Sequence, residues 1–177
     1  MENETKQQGM LKPALQYGLI LSLALIMLSL IFYLIGEGTN KWASWLSYPL
    51  FIGILVFSII KHRDEENDGF ITYGKSLGFG TLIGVFTGII YAVYAFIFFK
   101  FIAPELQDIL VTNVIIAAET YSPNMTIEQI DFLTGIYGKL FSPIGQFIVS
   151  LFGKIFLCFV FSLIISIFTK KKNPELL

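Results

Sequence analysis

An all-α bundle of four membrane-spanning helices is the fold class this sequence predicts. Three observations carry that prediction: an apolar composition, four long runs almost free of charge, and charged residues gathered between them. The 177 residues are 55% hydrophobic and only 14% charged, with a mean hydropathy of +0.72, whereas soluble domains carry roughly 25% charged residues. A globule of this size leaves much of its area facing water and could not hide so much apolar surface. The formal net charge of -1 provides no excess of cations to neutralise phosphates, which excludes nucleic-acid binding through bulk charge. A single cysteine, Cys158, excludes an intrachain disulfide.

The first span is expected near 14–36, where about 24 residues between Lys12 and Glu37 carry no charge, more than the roughly 20 needed to cross a 30 Å hydrocarbon core. It is longer than the roughly 7–15 apolar residues of a signal peptide and is followed by no small-residue cleavage site, so it is expected to stay as an anchor. The second, near 42–60, contains Pro49 and Gly53, and its Trp42, Trp45 and Tyr48 cluster at one end as an aromatic belt would. The third, near 76–99, is again uncharged. The fourth, near 144–168, is interrupted by Lys154. Its 17 Ile, Leu, Phe and Val residues, at roughly -0.3 to -0.6 kcal/mol each, outweigh one lysine costing at most about 3.5 kcal/mol at the bilayer centre.

An even number of spans places both chain ends on one side. Lys6, Lys12, Lys61, Arg63, Lys75, Lys170, Lys171 and Lys172 fall on that side, against Lys41, Lys100 and Lys139 on the other, so both termini are expected in the cytoplasm. Residues 1–12 then form a cytoplasmic tail, 13–169 the membrane domain and 170–177 a basic cytoplasmic tail. The outer connection, 105–141, is amphipathic. Leu106, Ile109, Leu110, Val114, Ala117 and Tyr121 recur at helical spacing opposite Glu105, Asp108, Thr112 and Glu119. A second helix starts at Thr126 with Gln129 three residues on, a capping-box pattern, and Pro143 suits the first turn of span four.

Candidate functional residues are few. Span three carries Gly74, Gly78, Gly80, Gly84, Gly88 and Ala92, the last four at intervals of four, and such a face allows close helix approach within the bundle or between copies. Lys154, ionisable inside a span, is a candidate for a transport path. With no acidic residue inside any span to pair with it, snorkelling of its stem to the outer interface, a lipid contact, is the favoured expectation. His62 reads as a flanking polar residue and Cys158 as an inert thiol. The turn at 64–69, DEENDG, opens like a calcium-binding loop, but the twelfth position is Lys75, where a glutamate should close the site. No metal or cofactor is therefore expected, and no enzymatic activity. Two Tyr-Gly steps, at Tyr17-Gly18 and Tyr73-Gly74, hint at a duplicated hairpin.

The stretch 59–88, IIKHRDEENDGFITYGKSLGFGTLIGVFTG, joins a span ending in a basic pair, an acidic turn with glycine, an aromatic-glycine step at Tyr73-Gly74 and a glycine-rich span. In these features, and in the amphipathic segment after Pro104 and the basic tail, the chain resembles the bacterial membrane-protein family catalogued as domain of unknown function 4199. The resemblance implies a four-span protein of the bacterial inner membrane and no catalytic residue. The leading functional expectation is a non-enzymatic structural or accessory component acting through membrane lipids or protein contacts, as a homo-oligomer or within a larger complex. The alternative is a small oligomeric transporter or channel with Lys154 on its path. The direction in which Lys154 points discriminates between them.

Overall fold

A computed structural model describes residues 2–171, with side chains described outside 2–8 and 41–44. The expected C-terminal tail from Lys172 onward and the side chains of Lys6, Lys41 and Trp42 thus lie outside the described residues. Six α-helices are joined by short turns: α1 (Glu2–Leu34), α2 (Lys41–Glu66), α3 (Tyr73–Ile97), α4 (Glu105–Tyr121), α5 (Ile127–Phe141) and α6 (Pro143–Thr169), with a π-helical turn, Phe98–Ile102, after α3. Helix α1 begins at Glu2, within the expected tail, and continues into the first span with Pro13 inside it.

Four of these helices are long and apolar enough to cross a membrane: Gly9–Leu34, Trp45–Glu66, Tyr73–Ile102 and Pro143–Thr169. Their outward faces are apolar, with Leu19, Leu23, Met27, Phe57, Val93, Phe152, Phe156 and Ile164 all exposed. In water such a surface would be untenable; in lipid it is the expected exterior. The chain is a multi-pass membrane protein.

The helices pack most closely toward the end where α1 begins and α6 finishes, the terminal end. There Leu21 and Leu25 of α1, Phe51, Leu55 and Ile59 of α2, Phe79 and Ile83 of α3, and Cys158 and Ile165 of α6 form one buried cluster. Backbone hydrogen bonds in both directions between Ile71 and Lys171, 3.0 and 2.9 Å, tie the α2–α3 turn to the end of α6. Arg63 donates to the Thr169 carbonyl at 3.3 Å, and Thr72 caps α3 by accepting from the Lys75 amide. Asp68 and Gly69 turn the chain with φ of 52° and 79°.

The opposite, loop end is more open. On α2, Trp45, Leu46, Tyr48 and Leu50 are exposed ahead of the buried stretch. Helices α4 and α5 bury no residue and form a hairpin at this end, joined to the π turn after α3 and to the start of α6. Thr126 and Gln129 form the reciprocal cap that their spacing predicts, and Pro143 sits in the first turn of α6 behind Ser142, whose hydroxyl accepts from the Gly145 amide at 3.1 Å. The flare between a closed terminal end and an open loop end is what creates a cavity.

Candidate functional site

The third span divides its glycines between two faces. A Cβ added at Gly80 would lie 1.9 Å from Ser162 Oγ, at Gly84 2.5 Å from Cys158 Cβ, and at Gly88 2.7 Å from the Leu151 carbonyl oxygen. These three glycines therefore bring α3 onto α6 of the same chain, and Ala92 is fully buried further along. That face is filled by α6, so it is not free for a second copy. No atom of another helix lies within 4 Å of a Cβ added at Gly74 or Gly78, so these two take no part in the contact with α6 inside this chain. The reason is angular: at 100° per residue, Gly78 stands about 160° around the helix from Gly80. Gly18, outside that set, is a further close approach, its added Cβ falling 2.6 Å from Phe86 Cβ. The two Tyr-Gly steps thus have different environments.

Where the small-residue contact ends, a cavity of about 300 Å³ opens toward the loop end. Lys154 stands on its floor, one helical turn from Cys158. Its ammonium lies 4.4 Å from the centroid of the Tyr91 ring. The half-buried side chain lines this cavity and faces Tyr91 of α3. An aromatic face offers a cation partial compensation worth roughly 0.5–2 kcal/mol, and the flare provides room that a tightly packed bundle would deny it. No carboxylate among the described residues pairs with Lys154.

The walls mix hydroxyl and aromatic groups. Ser150 and Gln146 of α6, Ser29 of α1, and Tyr91, Tyr94 and Phe98 of α3 and its π turn line the cavity. Tyr94 donates to Ser29 Oγ at 3.1 Å, and its ring packs against Tyr91 and Phe98 at 5.4 Å in each case. Leu106 and Leu110 of α4 also line it, with α4 held by Tyr33, whose hydroxyl lies 2.9 Å from Glu105 Oε1 and 3.3 Å from the Ile102 carbonyl. In the π turn, Ala103 N–H reaches back to the Phe98 carbonyl at 2.8 Å. Such turns widen a helix locally and recur at functional sites. None of the lining residues is acidic.

Lys154 was legible from the sequence; its companions were missed. Gln146, Ser150, Lys154, Cys158, Ser162 and Ser166 follow at intervals of four along α6, a ridge in which each residue stacks on the next while the row winds slowly around the helix, and that period was the available signal. The sequence also undervalued His62. It is only 3% exposed, stacks on Phe79 with ring centroids 3.7 Å apart, and contacts Glu66 and Asn67. Its position between α2 and α3 makes it part of the terminal-end seal. Among the described residues no group of three or more His, Cys, Asp and Glu side chains could hold a metal.

A family model described as protein of unknown function (DUF4199) matches residues 16–171. No curated protein and no solved structure matches the chain.

Proposed function

Because the chain belongs to the DUF4199 family, whose description assigns no activity, we propose from its own geometry that it is a non-enzymatic membrane protein holding a small anion in the loop-end cavity around Lys154. The unpaired ammonium carries the proposal. A charge removed from water without a counter-ion is costly, and its attraction for an anion rises as the local dielectric falls. Cation–π contact with Tyr91 offsets only part of that cost. A carboxylate or phosphate group would complete it, with the Ser150 and Ser29 hydroxyls and the Gln146 amide as hydrogen-bond donors and Tyr94 orienting Ser29. Rings of Tyr91, Tyr94 and Phe98 would cover the apolar remainder of such a ligand.

Cation counting supports the loop end as the outer face and the terminal end as cytoplasmic, and the family resemblance implies a bacterial inner membrane. The cavity would then receive its ligand from outside the cell. An accessory role through lipids or a partner, as a homo-oligomer or within a larger complex, is the second reading. It rests on the α4–α5 hairpin, where Ile116, Tyr121, Ile127 and Phe132 are 56, 88, 78 and 66% exposed; an amphipathic hairpin of this kind suits the outer interface.

Thermal unfolding in mild detergent with benzoate or inorganic phosphate tests the proposal. At a hundred times its dissociation constant a ligand stabilises the folded state by about 2.7 kcal/mol. The expected result is a dose-dependent rise in Tm for the unmodified chain and none for Lys154→Met, with matched ammonium salts inactive on both. Equal shifts in the two proteins, or no shift in either, would refute it.

A further inference from the structure

We infer that the seam between α3 and α6 beneath Lys154 is the route by which an anion leaves the cavity and crosses the membrane. The inference rests on the anion-binding reading and extends it from holding to passage. On α6 the polar column continues past Lys154 through Cys158, Ser162 and Ser166 toward the terminal end. On α3 it faces Gly84, Gly80 and Ser76, in that order: Cys158 meets Gly84, Ser162 meets Gly80, and Ser166 donates to Ser76 Oγ at 2.9 Å. Ser76 in turn lies 3.0 Å from Thr169 Oγ1.

A seam whose task is only to join two helices in lipid gains nothing from an unpaired hydroxyl. Ser162 is fully buried, and its Oγ has no hydrogen-bond partner while pointing into the space left by the missing Cβ of Gly80. Leaving such a group unsatisfied costs about 1–3 kcal/mol. A hydroxyl donor kept there is explained if it is satisfied by a solute when the helices part. Opposite it, the glycines present bare backbone and no side chain that would have to be moved aside.

Lys154 stands where the seam meets the cavity; at the far end Arg63, bonded to the Thr169 carbonyl, is paired with Asp64 at 2.6 Å and adds no free charge. No acidic side chain interrupts the column between them. In the arrangement described here the seam is shut, Gly84 against Cys158 and Gly80 against Ser162. Passage thus requires α6 to separate from α3 while the cavity stays formed above.

Cys158, the chain's sole thiol, lies fully buried within the seam and reports on its opening. In proteoliposomes of the full chain, it is exposed to two impermeant thiol reagents of similar size, the anionic sulfonatoethyl and the cationic trimethylammonioethyl methanethiosulfonates, with and without inorganic phosphate. Rates are divided by those with a free thiol. The expected result is modification by the anionic reagent about tenfold faster than by the cationic one, the scale on which a charged cleft enriches counter-ions. Lys154→Gln should erase the preference, and Cys158→Ser should remove labelling altogether. No modification by either reagent under either condition overturns the route, as do equal normalised rates. If labelling fails while benzoate or phosphate still raises Tm through Lys154, the cavity binds but leads nowhere; if both fail, the binding reading falls as well.

Discussion

Replacing Gly84 with alanine separates helix packing from helix propensity, because the same change at Gly78 provides the control on the same helix. At Gly84 the new methyl group would sit 2.5 Å from Cys158 Cβ and 3.3 Å from Ile155 Cα. Neither neighbour is the mobile end of a side chain, so α6 must be displaced. Overpacking of this kind costs about 1–3 kcal/mol, offset by roughly 0.5–1 kcal/mol gained when alanine replaces glycine within a helix. At Gly78 an added Cβ meets nothing within 4 Å, leaving only the propensity gain. The two variants should therefore differ by about 1–3 kcal/mol, the overpacking cost alone, with Gly84→Ala the less stable. Reversible unfolding in mixed detergent, followed by tryptophan fluorescence, measures both. Pairing Gly84→Ala with Cys158→Gly should recover part of the loss, since the two sites share one contact. Equal stability of Gly84→Ala and Gly78→Ala would refute the close approach of α3 to α6.

Two further outcomes follow from polar groups at opposite ends of the bundle. Ser162→Ala removes a buried hydroxyl that has no partner and should leave the chain as stable as before or raise its stability by up to about 1–3 kcal/mol; a loss seen in the same detergent unfolding would show that the hydroxyl is satisfied. Tyr33→Phe removes the hydroxyl that donates to Glu105 and lies against the Ile102 carbonyl, and should speed amide exchange in the first turns of α4 while leaving α3 unchanged. Unaltered exchange at 105–110 would mean that Tyr33 does not hold α4.

The spans were legible because apolar length has few alternatives: a run of this kind without charge must sit in lipid as a helix. The local rules at Thr126, Gln129 and Pro143 were legible for a similar reason, since a cap acts within four residues of itself. The glycines were legible in part. Gly80, Gly84 and Gly88 share one face, and the angle to Gly78 was already contained in the spacing, but the identity of the helix they meet depends on tertiary arrangement. Lys154 shows the limit most clearly. Composition weighed it against lipid and found no acid to pair with, so the interface was its cheapest place; its actual companion, Tyr91, is 63 residues away, and the cavity between them comes from the flare of the helices. His62 failed for the same reason, its neighbour Phe79 lying on the next helix.

The central claim is that an anion sits beside Lys154 in the loop-end cavity. A structure of the full chain determined with 4-bromobenzoate tests it most directly, because anomalous scattering locates the bromine independently of how the side chains are built. The account predicts bromine against the rings of Tyr94 and Phe98, on their cavity side, with the carboxylate within hydrogen-bonding distance of Lys154 Nζ. Bromine found only on the lipid-facing surface, with the Lys154 side chain directed out of the bundle, would contradict it.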